Sequence, residues 1–152
     1  MGMGEKLEMK VVAISGGFDP VHIGHVRMMR DAKALGDRLV VIVNNDNWLK
    51  KKKGFVFMPE AERKEIIEAI KWVDEVVLTS HEPDTTDMSV CKELSSVVWP
   101  LHVFANGGDR KADNIPEYVL CEQIGIEMVF GIGGDKIQSS SDLVKASQNV
   151  AH

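Results

Sequence analysis

The sequence predicts an α/β domain, a five-stranded parallel sheet with helices on both faces. Three observations carry that prediction. Short apolar, β-branched runs recur at 10–15, 38–43, 75–79, 101–105 and 126–130. Segments with helical spacing separate them, the pattern of parallel strands joined by crossovers. Unusual turns at 16–25, 44–54 and 106–113 follow the first, second and fourth runs, where such a sheet opens its ligand crevice.

Each element has its own justification. Val11-Val12-Ala13-Ile14 is continuously apolar, as a strand covered on both faces requires. A helix over 22–35 follows, with Val26, Met29, Ala32, Ala34 and Leu35 near one stripe. Asp19-Pro20 reads as its N-cap and first helical residue, which puts His22 near the third helical position and His25 one turn on. The second strand, 38–43, runs into 44–54, read as a loop carrying Lys50-Lys51-Lys52-Lys53 and ending at Gly54. The helix over 59–70 starts at Pro59 and aligns Ile66, Ile67 and Ile70. Shorter helices at 87–94 and 115–124 flank the fourth strand, the second stopped by Gly125. A last helix begins at the serines 139–141 and continues through Leu143-Val144-Lys145-Ala146.

The 152 residues suit one domain, placed at 10–150 behind a flexible leader at 1–9. Apolar residues make up 44% and charged residues 27%, a globular balance. A net charge of −5 argues against nucleic acid as partner. Cys91 and Cys121 lie too far apart for a metal-binding pair, and no metal site is expected. They suit a reduced cytoplasmic setting, with a disulfide as the other reading. No apolar run approaches the roughly 18–20 residues of a membrane span, and the start lacks a signal core. There is no internal repeat.

The first turn carries the chemistry. Gly16 and Gly17 permit a tight turn with bare amides, and a helix N-terminus favours anions, phosphates above all. His22 and His25, spaced i, i+3, share one helix face, and Gly24 leaves the backbone between them open to a ligand. The helix end favours neutral imidazole and a bound polyphosphate the charged form, so the histidines are assigned hydrogen bonding and charge stabilisation rather than proton transfer. The bland alternative is an ordinary N-cap with two incidental histidines. Neither a Gly-x-x-x-x-Gly-Lys phosphate loop nor a dinucleotide fingerprint is present.

Gly16-Gly17-Phe18-Asp19-Pro20-Val21-His22-Ile23-Gly24-His25 resembles the nucleotidyltransferase superfamily marked by a His-x-Gly-His motif. Similarity continues through Leu35-Gly36-Asp37-Arg38-Leu39-Val40-Val41, Met58-Pro59-Glu60-Ala61-Glu62-Arg63 and Val73-Asp74-Glu75-Val76-Val77. The chain is similar to short members such as glycerol-3-phosphate cytidylyltransferase and heptose-1-phosphate adenylyltransferase. The resemblance implies a single Rossmann-like domain, nucleotide contacts at Gly16, Gly17, Phe18, Asp19 and Gly24, and a homodimer.

The resemblance also weights the remaining candidates. The lysine run is either a solvated surface or a mobile cationic loop over phosphates, with Lys50 and Lys53 as substrate-binding candidates. Arg63 is either a surface ion-pair partner of Glu60 or a substrate contact. Gly107, Gly108 and Asp109 form a turn that, in the superfamily, lies against the nucleotide, with Arg110 a candidate phosphate contact. Ser139, Ser140 and Ser141 either cap the last helix or present hydroxyls and amides to the triphosphate. Lys136 precedes them where the glycerol-phosphate branch has an Arg-Thr-Glu-Gly run, and is the third catalytic candidate beside His22 and His25.

The implied reaction is attack by an ionised acceptor phosphate on the α-phosphorus of ATP or CTP, with pyrophosphate leaving. Such a nucleophile needs no activated side chain, so catalysis rests on alignment and charge stabilisation. Mg²⁺ is expected with the triphosphate rather than in a protein cage. The acceptor expected first is a sugar or polyol phosphate. The alternatives are a coenzyme-precursor adenylyltransferase, of the pantetheine-phosphate or nicotinate-mononucleotide type, and a noncatalytic nucleotide-binding regulator.

Overall fold

The computed structural model describes residues 9–96, 100–107 and 116–133. Their elements are β1 (Val11–Gly16), α1 (Ile23–Lys33), β2 (Arg38–Val43), α2 (Asp46–Lys53), α3 (Glu60–Glu68), β3 (Glu75–Leu78), α4 (Cys91–Ser96), β4 (Val103–Gly107), α5 (Glu117–Ile124) and β5 (Glu127–Ile132). The five strands form one parallel sheet in the order β3-β2-β1-β4-β5. The chain winds outward from β1 to β3 and then returns beside β1 as β4. The switch point therefore lies between β1 and β4, at the C-terminal ends of the strands.

The continuous apolar strands divide their side chains between two cores, as period-2 alternation dictates. Val12 and Ile14 of β1, Leu39, Val41 and Val43 of β2, and Val103 and Ala105 of β4 pack with Met29 and Ala32 of α1 and Ile67 of α3. Ala13, Ile42 and Phe104 point the other way, against Val90, Leu94 of α4, Cys121 of α5 and Ile126. Helices on both faces are what the sequence predicts, and both cores are present.

Three elements differ from the sequence expectation. The segment after β2 forms the helix α2 instead of a loop. Asn45 caps it by accepting from Trp48 N at 2.9 Å, and Gly54 ends it in the left-handed region with φ 90. The four lysines form its last turn, where cations meet the negative helix end. Pro59 is the N-cap of α3 rather than its first helical residue. Helix α4 starts at Cys91, not 87, because Asp87 is engaged with the N–H and hydroxyl of Ser89. The leader at 1–8 and the last helix lie outside the described residues.

The pole of the sheet away from the switch point is a structural clamp. Asp74 accepts from Leu39 N at 2.8 Å and from the Lys33 ammonium at 2.7 Å, and Asp37 accepts from Lys10 N at 2.9 Å. The Lys33 ammonium and the Leu39 amide hold the Asp74 carboxyl below its usual range, against an opposing push from burial.

Candidate active site

Strand β1 delivers Gly16 and Gly17 to the switch point, and the next residue turns the chain sharply. Phe18 has φ 52, a region that costs a non-glycine residue about 1–3 kcal/mol. The surroundings hold it there: its ring is buried and meets His25 edge-on at 4.9 Å. A Cβ on Gly16 would lie 3.0 Å from that ring, which explains a glycine at this position.

The expected Asp19 cap is not made. Its carboxylate is buried and accepts from Phe57 N at 2.8 Å and Met58 N at 2.6 Å, tying the first turn to the segment after α2. His22 takes the N-cap position instead. Its Nδ1 accepts from Gly24 N at 3.0 Å, and His25 Nδ1 accepts from His22 N at 3.2 Å. The backbone of α1 thereby fixes both rings, a constraint that the spacing alone does not reveal. Gly24 contributes its amide to this cap.

These bonds decide the tautomer. A ring nitrogen that accepts cannot carry a proton, so each neutral imidazole bears its hydrogen on Nε2. The rings stack with centroids 3.8 Å apart and planes 26° from parallel, a distance at which two imidazolium charges would repel strongly. Burial, His22 and the Lys53 ammonium together push His25 down to about 3. Burial also lowers His22. Both are neutral Nε2–H donors near pH 7. Among the described residues the His22 Nε2 is buried and has no hydrogen-bond partner, a donor placed to meet a ligand in the crevice.

Among the lysines the structure separates two candidates. Lys53 donates to the Asp19 carbonyl at 3.0 Å and its charge reaches His25, whereas Lys50 is exposed at the start of the same turn. Position 53 therefore supplies the cation beside the imidazole pair. A helix end, not a loop, carries it.

Arg63 is neither a surface partner of Glu60 nor presented to the crevice. It is fully buried on α3. Its Nε donates to Met58 O at 2.8 Å. One terminal nitrogen donates to Gly17 O at 2.8 Å and Asn44 O at 2.6 Å, and the other to Asp46 Oδ1 at 2.7 Å. These bonds join the turn after β1, the turn after β2, the start of α2 and the segment before α3. A direct substrate contact is at odds with that burial, and the guanidinium positions the loops instead. Glu60 caps the arrangement by accepting from Asp46 N at 2.8 Å. No local pattern announces Asn44, Asp46 and Met58 as partners; a lone arginine on an otherwise amphipathic helix is the one available clue.

Gly107 ends β4 close to α1, where a Cβ would lie 2.9 Å from Met28 Sδ. Gly108, Asp109, Arg110, Lys136 and Ser139–Ser141 lie outside the described residues. Among the described residues no three His, Cys, Asp or Glu side chains are grouped to hold a metal ion, and no helix is long and apolar enough to cross a membrane.

Residues 13–146 match a family described as cytidylyltransferase-like. The chain is 39% identical over 152 residues to a FAD synthase of Thermococcus kodakarensis, covering 96% of this chain and 93% of that protein. It is 33% identical over 136 residues to a "Probable ethanolamine-phosphate cytidylyltransferase" of Encephalitozoon cuniculi, covering 86% of this chain and 40% of that protein. Among solved structures, a lipopolysaccharide core biosynthesis protein of Thermoplasma volcanium matches with TM-score 0.61 and 27% identity, covering 80% of this chain and 95% of that one.

Proposed function

The chain belongs to the cytidylyltransferase-like family and is a nucleotidyltransferase; from that premise we propose that it transfers AMP from ATP to FMN, yielding FAD and pyrophosphate. The reaction class rests on one observation, the stacked His22–His25 pair whose Nδ1 atoms are both occupied by backbone amides. Two neutral Nε2–H groups on one side of a helix N-terminus suit the oxygens of a triphosphate. The likeness to a FAD synthase along nearly the whole chain supports the acceptor. It favours a coenzyme precursor over the sugar or polyol phosphate expected from the motifs.

In this reaction an FMN phosphate oxygen bonds to the α-phosphorus, and the bond from that phosphorus to the bridging oxygen breaks. Its electron pair leaves with pyrophosphate. His22 and His25 donate to the oxygens where charge gathers, and Lys53 supplies the fixed positive charge beside them. Asp19 and Arg63 hold the turns next to the helices that carry these groups. Gly16, Gly17 and Gly107–Asp109 line the nucleotide, and Lys136 with Ser139–Ser141 completes its phosphate contacts. Arg110 serves the acceptor phosphate. Bound with the triphosphate rather than by a protein cage, Mg²⁺ would supply charge screening there. The enzyme works as a cytoplasmic homodimer.

A second reading, cytidylyl transfer to an amino-alcohol phosphate, draws on the ethanolamine-phosphate relative. Pyrophosphate release, measured for ATP and CTP against FMN, ethanolamine phosphate, glycerol 3-phosphate and a sugar 1-phosphate, tests both. ATP with FMN is expected to exceed every other pair in kcat/KM by about 100-fold or more. A preference for CTP with ethanolamine phosphate would replace the first reading by the second.

A further inference from the structure

The segment Gly54–Met58 places two large apolar rings in solvent. Phe55 is 53% and Phe57 67% exposed, although the chain has only five phenylalanines. Isolated exposed apolar residues need no explanation, but two aromatic rings two residues apart on a backbone pinned to the active site do. Gly54 fixes the entry through its left-handed cap, with its N–H on Lys50 O at 2.8 Å. The exit is held by Asp19, which accepts from Phe57 N and Met58 N, and by Arg63 Nε on Met58 O. The same Asp19 receives the Lys53 ammonium on its carbonyl at 3.0 Å, three residues before the His22 cap.

Three chemistries thus share one anchor: a cation for a phosphate, imidazole donors for a transferred phosphoryl group, and a pair of aromatic rings. A small polyol or amino-alcohol phosphate has no use for the third. A phosphate ester bearing a planar heteroaromatic ring uses all of them.

We infer that Phe55 and Phe57 form the docking wall for the acceptor's ring system, the isoalloxazine of FMN, and so select an aromatic acceptor over a small aliphatic phosphate. This inference rests on the FMN reading above. The rings supply stacking area with few rotors to immobilise, and the pinned backbone presents them without a folding step. Lys53 immediately precedes the segment, and in this arrangement its ammonium serves the phosphate end of the same molecule. The two phenylalanines are positioning and specificity residues; they take no part in bond making.

The test compares wild type with Phe55→Ala/Phe57→Ala and with Phe55→Tyr/Phe57→Tyr in the full chain. It reads KM for FMN, KM for ATP, and quenching of FMN fluorescence on binding in the absence of ATP. The alanine pair is expected to raise KM for FMN about tenfold and to weaken quenching to match, with KM for ATP unchanged and the folded spectrum retained. The tyrosine pair is expected to restore both. Unchanged FMN affinity in the alanine pair, in an enzyme that makes FAD, overturns the docking wall and leaves the FMN reading intact. Loss of a sedimenting dimer together with unchanged FMN affinity also overturns it and assigns the rings to a contact between copies. A wild-type chain that makes no FAD and transfers only to small aliphatic phosphates overturns the FMN reading itself.

Discussion

Replacing Arg63 by methionine separates two accounts of that residue. The side chain is fully buried and makes four hydrogen bonds between 2.6 and 2.8 Å, one of them to the Asp46 carboxylate. Methionine fills a similar volume but leaves the Gly17 and Asn44 carbonyls and the Asp46 carboxylate without their donor. A charge-assisted hydrogen bond contributes about 1.5–3 kcal/mol, but bonds sharing one guanidinium do not add. Removing one partner of a fully buried ion pair costs about 3–5 kcal/mol; Asp46 keeps 29% exposure, so about 2–4 kcal/mol is the expected loss. For a chain of this size it lowers Tm by roughly 4–16 °C. Urea denaturation should show a lower midpoint at unchanged slope, and turnover should fall because the Gly17 and Met58 loops loosen together. A variant within about 0.5 kcal/mol of wild type, with a raised KM for the acceptor, would refute the structural role and reinstate the substrate contact.

Lysine 53 and lysine 50 should behave differently. Lys53→Met is expected to lower kcat/KM about tenfold or more, and Lys50→Met to leave it within about twofold, in the pyrophosphate assay. Acidification should destabilise the fold. His25 titrates near 3 when folded against about 6.5 unfolded, so the unfolded chain binds more protons between those values. Stability is then fully present above about pH 6.5 and falls with pH below it, by at most about 1.4 kcal/mol per pH unit from this group. Urea midpoints from pH 7.5 to 5 for wild type and His25→Gln check this, and the variant should show the flatter profile. Acid destabilisation of equal slope in both proteins would assign the effect to other groups.

The strands were legible because buried parallel strands read as apolar runs, and all five are found within two residues of their expected positions. The failures have a common cause: side chains whose partners are distant in sequence. Asp-Pro before a helical pattern is a strong local cap signal, but the Asp19 carboxylate is occupied by amides 38 and 39 residues away. His22 then caps α1, a position for which imidazole carries little prior weight. Helix α2 was hidden by composition, since Trp48 and Leu49 are its only apolar residues and four lysines read as solvated loop. Its end signals were present all the same: Asn45 before it, Asp46 in the first turn, lysines in the last, and Gly54 after. Arg63 could be read as charged and helical, but its burial depends on carbonyls from three separate loops. The histidine pair was legible as a site because glycines, a strand end and His-x-Gly-His converge within ten residues. Its tautomers were not, because they depend on hydrogen bonds that the turn itself creates.

The central claim is that the Nε2–H edges of His22 and His25 grip the triphosphate. A crystal structure with a non-hydrolysable ATP analogue tests it most directly. Both Nε2 atoms should lie within about 3.2 Å of phosphate oxygens, with both Nδ1 atoms still accepting from the Gly24 and His22 amides. A triphosphate bound elsewhere, or rings turned so that neither Nε2 meets a phosphate oxygen, would contradict the account.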